Sequence, residues 1–394
     1  MTLWLIVPRD PLIFRDGKPF TSAPGERAKS LTFPYPSTIA GAVRSIAGTD
    51  STTGRFEKKL IPELLNMKIR GPVLVELNEN GDIADWLYPA PADALLLSTK
   101  SKDEALCFSL APIEIPEGSS SNINGLNLIG PRNVIKEKPL RDPPRFWRWK
   151  NYKKMNYKKW LEDPHEGMVN QDDLGIKGLP QENRTHVSIS PETQVASPGA
   201  LFQTSGLEFI QVENNGKESI SLSKASNLAL AVETDANLQP GIGFLGGERR
   251  IARWQKISET FPTCPDEVKQ KIIDQSCCRI ILLTPAYFES GFLPKWIRNY
   301  QSVKAGIEGA AIPRFQTVSG WDYHEKKPKP TRRLVPAGSV FFLRLDGSKS
   351  DIQNFVEAIW MQSVSDQDQF RKDGYGLAVV GTWDGELRKI EVPS

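Results

Sequence analysis

Hydrophobic and polar positions along the 394-residue chain follow strand and helix periods in irregular order. An apolar run at 3–7 predicts a first strand, and a turn-rich stretch at 8–36 leads into a helix. Ser37 or Thr38 is expected to cap this helix, with Ile39 and Val43 on its apolar face. Other strands are predicted at 73–77, 86–88, 186–190, 201–212, 228–232, 251–257, 279–284, 314–318, 338–345 and 376–381.

The order of these elements favours an α+β protein, since strands and helices mix without regular β-α alternation. A second helix is predicted after Pro265, and a third after Asp351 as its cap, with an apolar stripe from Ile352 to Val364. Residues 111–181 lose all periodicity, which indicates a long loop insertion that carries function. We therefore expect an N-terminal domain at 1–237, containing this insertion, and a C-terminal domain at 238–394.

Composition places the chain among folded proteins, with 39% hydrophobic and 25% charged residues. The four cysteines are too sparse for a disulfide framework and match no zinc motif, so we expect a reducing, cytoplasmic setting and no metal. No apolar run approaches the length of a membrane span, and no signal peptide is evident. No motif in the sequence calls for a cofactor.

Positive charge is concentrated in two places although the net charge is only +3. Residues 132–159 contain eleven Lys or Arg against two acids, and residues 295–333 contain nine against three. Such clusters point to a polyanionic partner. In the first cluster cations alternate with aromatic residues, an arrangement suited to single-stranded nucleic acid, and the candidate contacts are Arg145, Trp147 and Arg148. The alternatives are aromatic side chains that return to the core, or a loop at 141–160 that docks on a protein neighbour.

A glycine-rich stretch, Gly241-x-Gly243-x-x-Gly246-Gly247, superficially matches a dinucleotide-binding fingerprint. We reject that interpretation because Pro240 precedes the stretch and no helix pattern follows it. Glycines followed by Arg249 and Arg250 instead permit close approach to a phosphate chain, or form a simple bulged turn. The helix start at Ser37, with Arg15, Lys18 and Arg44 near it in sequence, could bind phosphate or be an ordinary capped helix.

Catalytic chemistry is poorly supplied, because the three histidines are scattered and lack a metal or nucleophile motif. In the run at 183–189, alternation places His186 on one strand face with Arg184 and Ser188. This histidine could act as a general acid or base in RNA cleavage, although a structural histidine is the more common case.

Several motifs, taken in order, resemble the third Cmr subunit family of type III-B CRISPR effector complexes, within the RAMP superfamily. They are Phe-Arg-Asp-Gly-Lys-Pro-Phe at 14–20, Pro-Ser-Thr-Ile-Ala-Gly-Ala-Val-Arg at 36–44, Arg-Thr-His-Val at 184–187, Leu-Gly-Gly-Glu-Arg at 245–249, Gly-Trp-Asp at 320–322, Lys-Pro-Lys-Pro-Thr-Arg-Arg at 327–333, Pro-Ala-Gly-Ser-Val at 336–340 and Gly-Tyr-Gly-Leu-Ala at 374–378. The resemblance spans nearly the whole chain and is weakest at 111–181.

The resemblance implies tandem ferredoxin-like (RRM-like) domains and a non-catalytic role in antiviral RNA interference. It implies that the chain holds the 5′ handle of the guide crRNA, anchors the large polymerase-type subunit, adjoins backbone RAMP subunits and meets target RNA indirectly. The RNA-binding candidates it adds or supports are Arg15, Lys18, Ser37, Arg44, His186, Gly246, Gly247, Arg249 and Arg250.

Two other functions stay open at this point. One is a RAMP endoribonuclease that processes repeat RNA through His186. The other is an adaptor whose basic loops bind only acidic protein surfaces, which predicts no salt-sensitive RNA binding with a preference for the handle sequence.

Overall fold

The structure is a computed structural model that describes residues 1–15, 27–28, 30–115, 118–123, 125–133, 135–150, 155–212, 225–298, 300, 302–322 and 326–389. It divides into two compact units, the first from 1–84, 178–259 and 317–333, and the second from 85–177, 260–316 and 334–394. This interleaved division differs from the linear boundary predicted at 237/238, because strands that are distant along the chain pair within each unit.

In its described residues, the first unit contains mostly antiparallel strands and two α-helices, and all elements are numbered in chain order. They are β1 (Thr2–Pro8), β2 (Arg27–Ala28), α1 (Pro36–Ala47), α2 (Ile61–Asn66), β3 (Ile69–Leu77), β12 (Gln181–Ile189), β13 (Ala196–Leu207), β14 (Ile210–Val212), β15 (Ala225–Thr234), β16 (Gly241–Phe244), β17 (Ile251–Lys256), β20 (Gln316–Asp322) and β21 (Lys327–Leu334).

Strand β1 lies inside the main sheet of this unit, between β15 and β17, and pairs antiparallel with both. Outside β15 lies β3, outside β17 lies β16, and β14 adds to the end of β15. Trp4 and Ile6 of β1 are buried, as predicted from the apolar run. A smaller sheet has the order β12-β13-β2.

Helix α1 buries Ile39 and Val43 against the unit, as its apolar spacing predicts. The predicted cap is wrong, however, because the helix begins at Pro36 after Tyr35, and no side chain caps it. Proline suits the first helical position since its fixed φ is helical and its missing N–H would have no helical partner there. Ser37 is therefore already inside the first turn.

The second unit combines short strands with helices α3 to α7. Its elements are β4 (Ile83–Pro89), β5 (Ala94–Ser98), β6 (Glu104–Ser109), β7 (Ala111–Pro112), β8 (Ile129–Gly130), β9 (Phe146–Arg148), α3 (Tyr157–Glu162), β10 (Gly167–Asn170), α4 (Gln171–Leu174), β11 (Gly175–Ile176), α5 (Asp266–Gln275), β18 (Cys277–Leu282), β19 (Lys304–Ala311), β22 (Val340–Asp346), α6 (Lys349–Ile359), β23 (Gln362–Ser363), α7 (Asp368–Lys372) and β24 (Leu377–Thr382). The α+β class is confirmed.

Five of these strands form an antiparallel sheet in the order β19-β22-β18-β24-β23, and all six residues of β18 are buried. Helices α5 and α6 contact each other and β24. The cap of α6 is Ser348 rather than the predicted Asp351, which completes a capping box from the third helical position. The helix also ends at Ile359, short of Val364. Among the described residues, no helix is long and apolar enough to cross a membrane.

The stretch at 111–181 is not the structureless insertion that we predict from the lost periodicity. It contains five short strands and two helices, and Trp147, Tyr157 and Trp160 are at most 1% exposed. The rings of Trp147 and Trp160 meet edge to face with centroids 5.6 Å apart. Burial raises the pKa of the Tyr157 hydroxyl far above its ordinary value. These aromatic residues build the core of the second unit.

A buried ion pair between Arg279 and Asp93 fixes this core. Both side chains are 1% exposed. The Arg279 guanidinium also donates to the carbonyl oxygens of Thr382, at 2.7 Å, and Trp160, at 2.6 Å. The other carboxylate oxygen of Asp93 accepts from the Trp160 indole N–H at 2.9 Å. Every partner is thus satisfied, as a buried charge pair requires.

We predict that Arg279→Ala lowers the free energy of unfolding by about 3–5 kcal/mol, because it leaves the Asp93 carboxylate buried without its counter-charge. Urea denaturation followed by tryptophan fluorescence measures the change. Lys349→Ala is the control, since the Lys349–Asp274 pair is 74% and 50% exposed and is worth about 0–1 kcal/mol. Equal losses for the two variants would contradict the prediction.

Candidate nucleic-acid interface

The glycine-arginine loop, residues 245–250, connects edge strand β16 to β17 in the first unit. Its ends are closed by the Leu245 N–H, which donates to the Arg250 carbonyl at 2.9 Å. Its centre rests on the segment after β1, where the Gly247 N–H donates to the Ile13 carbonyl at 2.7 Å. Two separate parts of the sequence therefore share one surface.

Glycine is required at position 246 for two reasons. Its φ is +81°, in the left-handed region that favours glycine, and a Cβ there would lie 2.5 Å from the Ile13 carbonyl oxygen. Glu248 and Arg249 also have left-handed φ values, 57° and 52°, without being glycine. Such conformations cost on the order of 1–3 kcal/mol each and concentrate at functional sites.

The charges of the loop leave one arginine available. Glu248 accepts from Arg15 at 3.3 Å and from Arg250 at 3.5 Å, so one carboxylate lies between two guanidinium groups. Arg249 is exposed and has no ion-pair partner among the described residues. Within the loop, two arginines face one acid, and Arg15 beside the loop adds a third cation, so the site is net positive. Arg249 is the arginine of these three that is outside the ion pairs of Glu248.

An exposed aromatic ring lies under Arg249. The guanidinium carbon is 4.7 Å from the ring centre of Phe244, which is 52% exposed. Ile242, two residues earlier on the same face of β16, is 75% exposed. A cation over an aromatic face, beside open apolar surface, provides both a phosphate contact and a stacking surface for an unpaired base.

The segment at 9–15 is held firmly in place by neighbouring strands. The Arg9 N–H donates to the Ile251 carbonyl at 2.9 Å, and the Asp10 carboxylate accepts from the Ile251 N–H at 3.0 Å. Leu12 and Leu207 exchange two backbone hydrogen bonds, of 3.0 and 2.8 Å. The platform under the glycine-arginine loop is therefore part of the sheet structure.

Of the sequence candidates in the first unit, five lie together at the glycine-arginine loop. They are Arg15, Gly246, Gly247, Arg249 and Arg250. Lys18 lies outside the described residues.

Arg44 and His186 have structural contacts. Arg44 is half-buried and donates to the carbonyl oxygens of Leu64, at 2.9 Å, and Met67, at 3.4 Å, so it holds the end of α2. His186 lies on β12 with Nε2 3.0 Å from the Thr204 hydroxyl, and its ring stacks on Phe202 at 5.2 Å. Ser37 is half-buried in the first turn of α1.

The three candidates of the aromatic segment lie in the second unit. Trp147 is 1% exposed, so the prediction that its ring stacks on a base is wrong for this structure: the ring is a core side chain. The Arg148 guanidinium donates to the Asp172 carbonyl, and Arg145 pairs with Asp142 at 3.7 Å. The alternative that these aromatic residues return to the core fits their burial.

Sequence reasoning missed Phe244, Ile242 and Glu248. The alternation in Gly-Ile-Gly-Phe at 241–244 is a strand signal that places both apolar side chains on one face. The exposure of these two side chains could not be predicted from the alternation, because it depends on the position of β16 at the sheet edge. Among the described residues no group of His, Cys, Asp and Glu is arranged to hold a metal ion.

Fold and site together define an α+β protein with a strained, basic, glycine-containing loop. A family model described as CRISPR-associated protein (Cas_Cmr3) matches residues 4–383. The chain therefore belongs to the Cas_Cmr3 family, as the sequence motifs predict.

Two solved structures are similar to this chain. One, described as a type III-B Cmr-beta complex bound to cognate target RNA and AMPPnP in state 1, has a TM-score of 0.45 and 16% identity, covering 91% of this chain and 88% of that one. Another, described as the type III-B Cmr-beta complex bound to cognate target RNA, has a TM-score of 0.47 and 17% identity, covering 95% and 96%. No curated protein sequence matches this chain.

We predict that Gly246→Ala destabilises the first unit by about 1–3 kcal/mol, because alanine resists the left-handed φ and its Cβ meets the Ile13 carbonyl. Chemical denaturation measures the loss. Gly41→Ala is the matched control: Gly41 lies in α1 with nothing within 4 Å of an added Cβ, so alanine should stabilise by roughly 0.5–1 kcal/mol. A neutral Gly246→Ala would show that the loop relaxes freely.

Proposed function

We propose that this chain is a non-catalytic subunit of a type III-B CRISPR effector complex that binds the 5′ handle of the guide crRNA at the glycine-arginine loop. Membership of the Cas_Cmr3 family supports the placement in a Cmr complex. The observation that carries the RNA contact is Arg249, exposed, without an ion-pair partner among the described residues, and stacked over Phe244.

The loop suits a phosphate chain because its conformation is set before the ligand arrives. The backbone hydrogen bond from Gly247 to Ile13, and the one from Leu245 to Arg250 that closes the loop, hold it, so little further ordering is needed on binding. Glu248 takes up the charge of Arg15 and Arg250, which leaves Arg249 to form the charge-assisted contact. The exposed ring of Phe244 offers a stacking surface to a neighbouring base.

The proposed role includes anchoring the large polymerase-type subunit beside backbone RAMP subunits, with target RNA met only through the guide. We also propose that the chain contains tandem ferredoxin-like (RRM-like) domains. Antiparallel sheets with α1 in the first unit, and with α5 and α6 in the second, support this proposal.

We predict that Arg249→Ala reduces the guide RNA that co-purifies with the tagged chain by roughly tenfold or more, since a hydrogen bond to a charged group is worth about 1.5–3 kcal/mol. The chain is purified gently from its host, and the bound RNA is quantified and sequenced. Partner proteins are identified by mass spectrometry in the same sample.

Arg55→Ala is the matched control for that experiment. Arg55 is exposed and lies in the same unit, and its substitution removes one positive charge, as Arg249→Ala does. It should leave RNA retention unchanged. Guide RNAs sharing one repeat-derived 5′ end are expected in the wild-type sample. RNA-free protein, or random RNA only, would contradict the proposed function.

We further predict that neither the purified wild-type chain nor His186→Ala cleaves a repeat-sequence RNA. The contacts of His186 with Thr204 and Phe202 account for its position without a reacting group. Gel analysis of end-labelled RNA tests this. Cleavage by the wild-type chain that His186→Ala abolishes would establish the endoribonuclease alternative instead.

A further inference from the structure

The hairpin β20–β21 stands apart from the other sheets of the first unit. Its two strands pair with each other and with no other strand among the described residues. Strand β21, Lys-Pro-Lys-Pro-Thr-Arg-Arg-Leu, contains four cations and no acid. Six of its eight residues are exposed, and only Leu334 at its end is buried.

Alternation along β21 places cations in a row. Lys327, Lys329 and Arg333 share one face of the strand, and all three are exposed. Neighbours two positions apart on a strand are separated by about 7 Å. The spacing of Lys327 and Lys329 is comparable with that between successive phosphates of an extended single strand, whereas Arg333 lies beyond Thr331, about twice as far along the strand.

Two prolines remove backbone hydrogen-bond donors from one edge of β21. Pro328 and Pro330 occupy alternate positions and so face the same edge, where neither can donate a backbone hydrogen bond. Strands with such prolines are found at sheet edges and do not accept a further strand there. The chemistry left to β21 is therefore that of its side chains.

The base of the hairpin is tied to the start of α1. The Tyr35 hydroxyl, one residue before the helix, donates to the Thr317 carbonyl at 3.1 Å. Within the hairpin, the Ser319 hydroxyl donates to the Lys329 carbonyl at 3.3 Å. The first turn of α1 contains no acidic residue. The cations of β21 are thus presented on an anchored element beside a helix start without negative charge.

We propose that the lysine face of β21 binds the phosphate backbone of single-stranded RNA, as a second contact separate from the glycine-arginine loop. This inference rests on the proposed RNA-binding function. An acidic protein surface is the competing partner. It is less suited because the positions 327–333 offer no aliphatic or aromatic anchor other than proline, and protein interfaces depend on such anchors.

The test compares Lys327→Ala/Lys329→Ala with Lys58→Ala/Lys59→Ala in the full-length chain. Both pairs of lysines are exposed and lie in the first unit. Each double substitution removes two positive charges, so any general effect of net charge is the same in the two variants. The probe is a fluorescein-labelled 20-nucleotide oligouridylate, and anisotropy gives Kd between 50 and 300 mM KCl. A Lys327→Arg/Lys329→Arg variant retains the charge, and melting temperatures confirm folding.

The association constant K falls with salt, so a plot of log K against log salt has a negative slope. We expect this slope to be shallower by about 1.4 in Lys327→Ala/Lys329→Ala, since each phosphate contact on a single strand contributes about 0.7. The slope should stay at the wild-type value in the arginine variant and in the Lys58/Lys59 control. Equal changes in both alanine variants, or none in either, would overturn the inference.

The same series separates this inference from the proposed function. If the wild-type chain binds and Arg249→Ala weakens binding while the β21 variant matches its control, only the β21 contact is refuted. If the wild-type chain does not bind RNA in a salt-dependent manner, both are refuted. Loss of a co-purifying acidic protein from the β21 variant, with RNA binding intact, would assign the lysine face to that partner.

Discussion

The pairing of β1 on both of its edges is the constraint on which the first unit depends. Leu5 lies opposite Ala231 of β15 on one side and Gln255 of β17 on the other, which joins three distant parts of the chain. Because β1 is fixed, the segment that follows it passes beside β17 and the end of β13. The Ile13 carbonyl then reaches the glycine-arginine loop. A surface loop thereby acquires the rigidity of the sheet.

This rigidity gives a physical reason for the strain in the loop. Left-handed conformations at Glu248 and Arg249 persist only where the surroundings determine them, and here the hydrogen bonds at both sides of the loop do so. In this backbone conformation, Glu248 points toward Arg15 and Arg250, and Arg249 extends over Phe244. The RNA binding proposed for this loop would need little rearrangement, so most of the interaction energy would appear as affinity.

Local patterns predicted the elements whose own residues determine them. The apolar run of β1 and the stripe of Ile39 and Val43 in α1 are confirmed. The errors arise where local rules allow more than one outcome. Ser348 rather than Asp351 caps α6, and both residues are acceptable caps by local rules alone. Strand β21 was not predicted because proline is excluded from strands in the interior of a sheet. This rule does not apply to β21, which lies in an isolated two-stranded hairpin.

The candidate site shows the same limit. The glycine-arginine loop could be recognised from the sequence because glycines permit tight backbone conformations next to the arginines. Its contact with Ile13 could not be predicted, because it depends on how distant segments fold together. The segment at 145–160 was misleading because its composition does not distinguish two uses of the same residues.

A row of aromatic residues and cations can stack on bases, or it can bury its rings and keep its charges at the surface. Trp147 and Trp160 do the second, while Arg145 and Arg148 are held by Asp142 and the Asp172 carbonyl. What separates a nucleic-acid surface from a charged but structural one is therefore the pairing of its cations and the exposure of its rings. By that criterion the loop at Arg249, with Phe244 open beside it, is the better candidate in this protein.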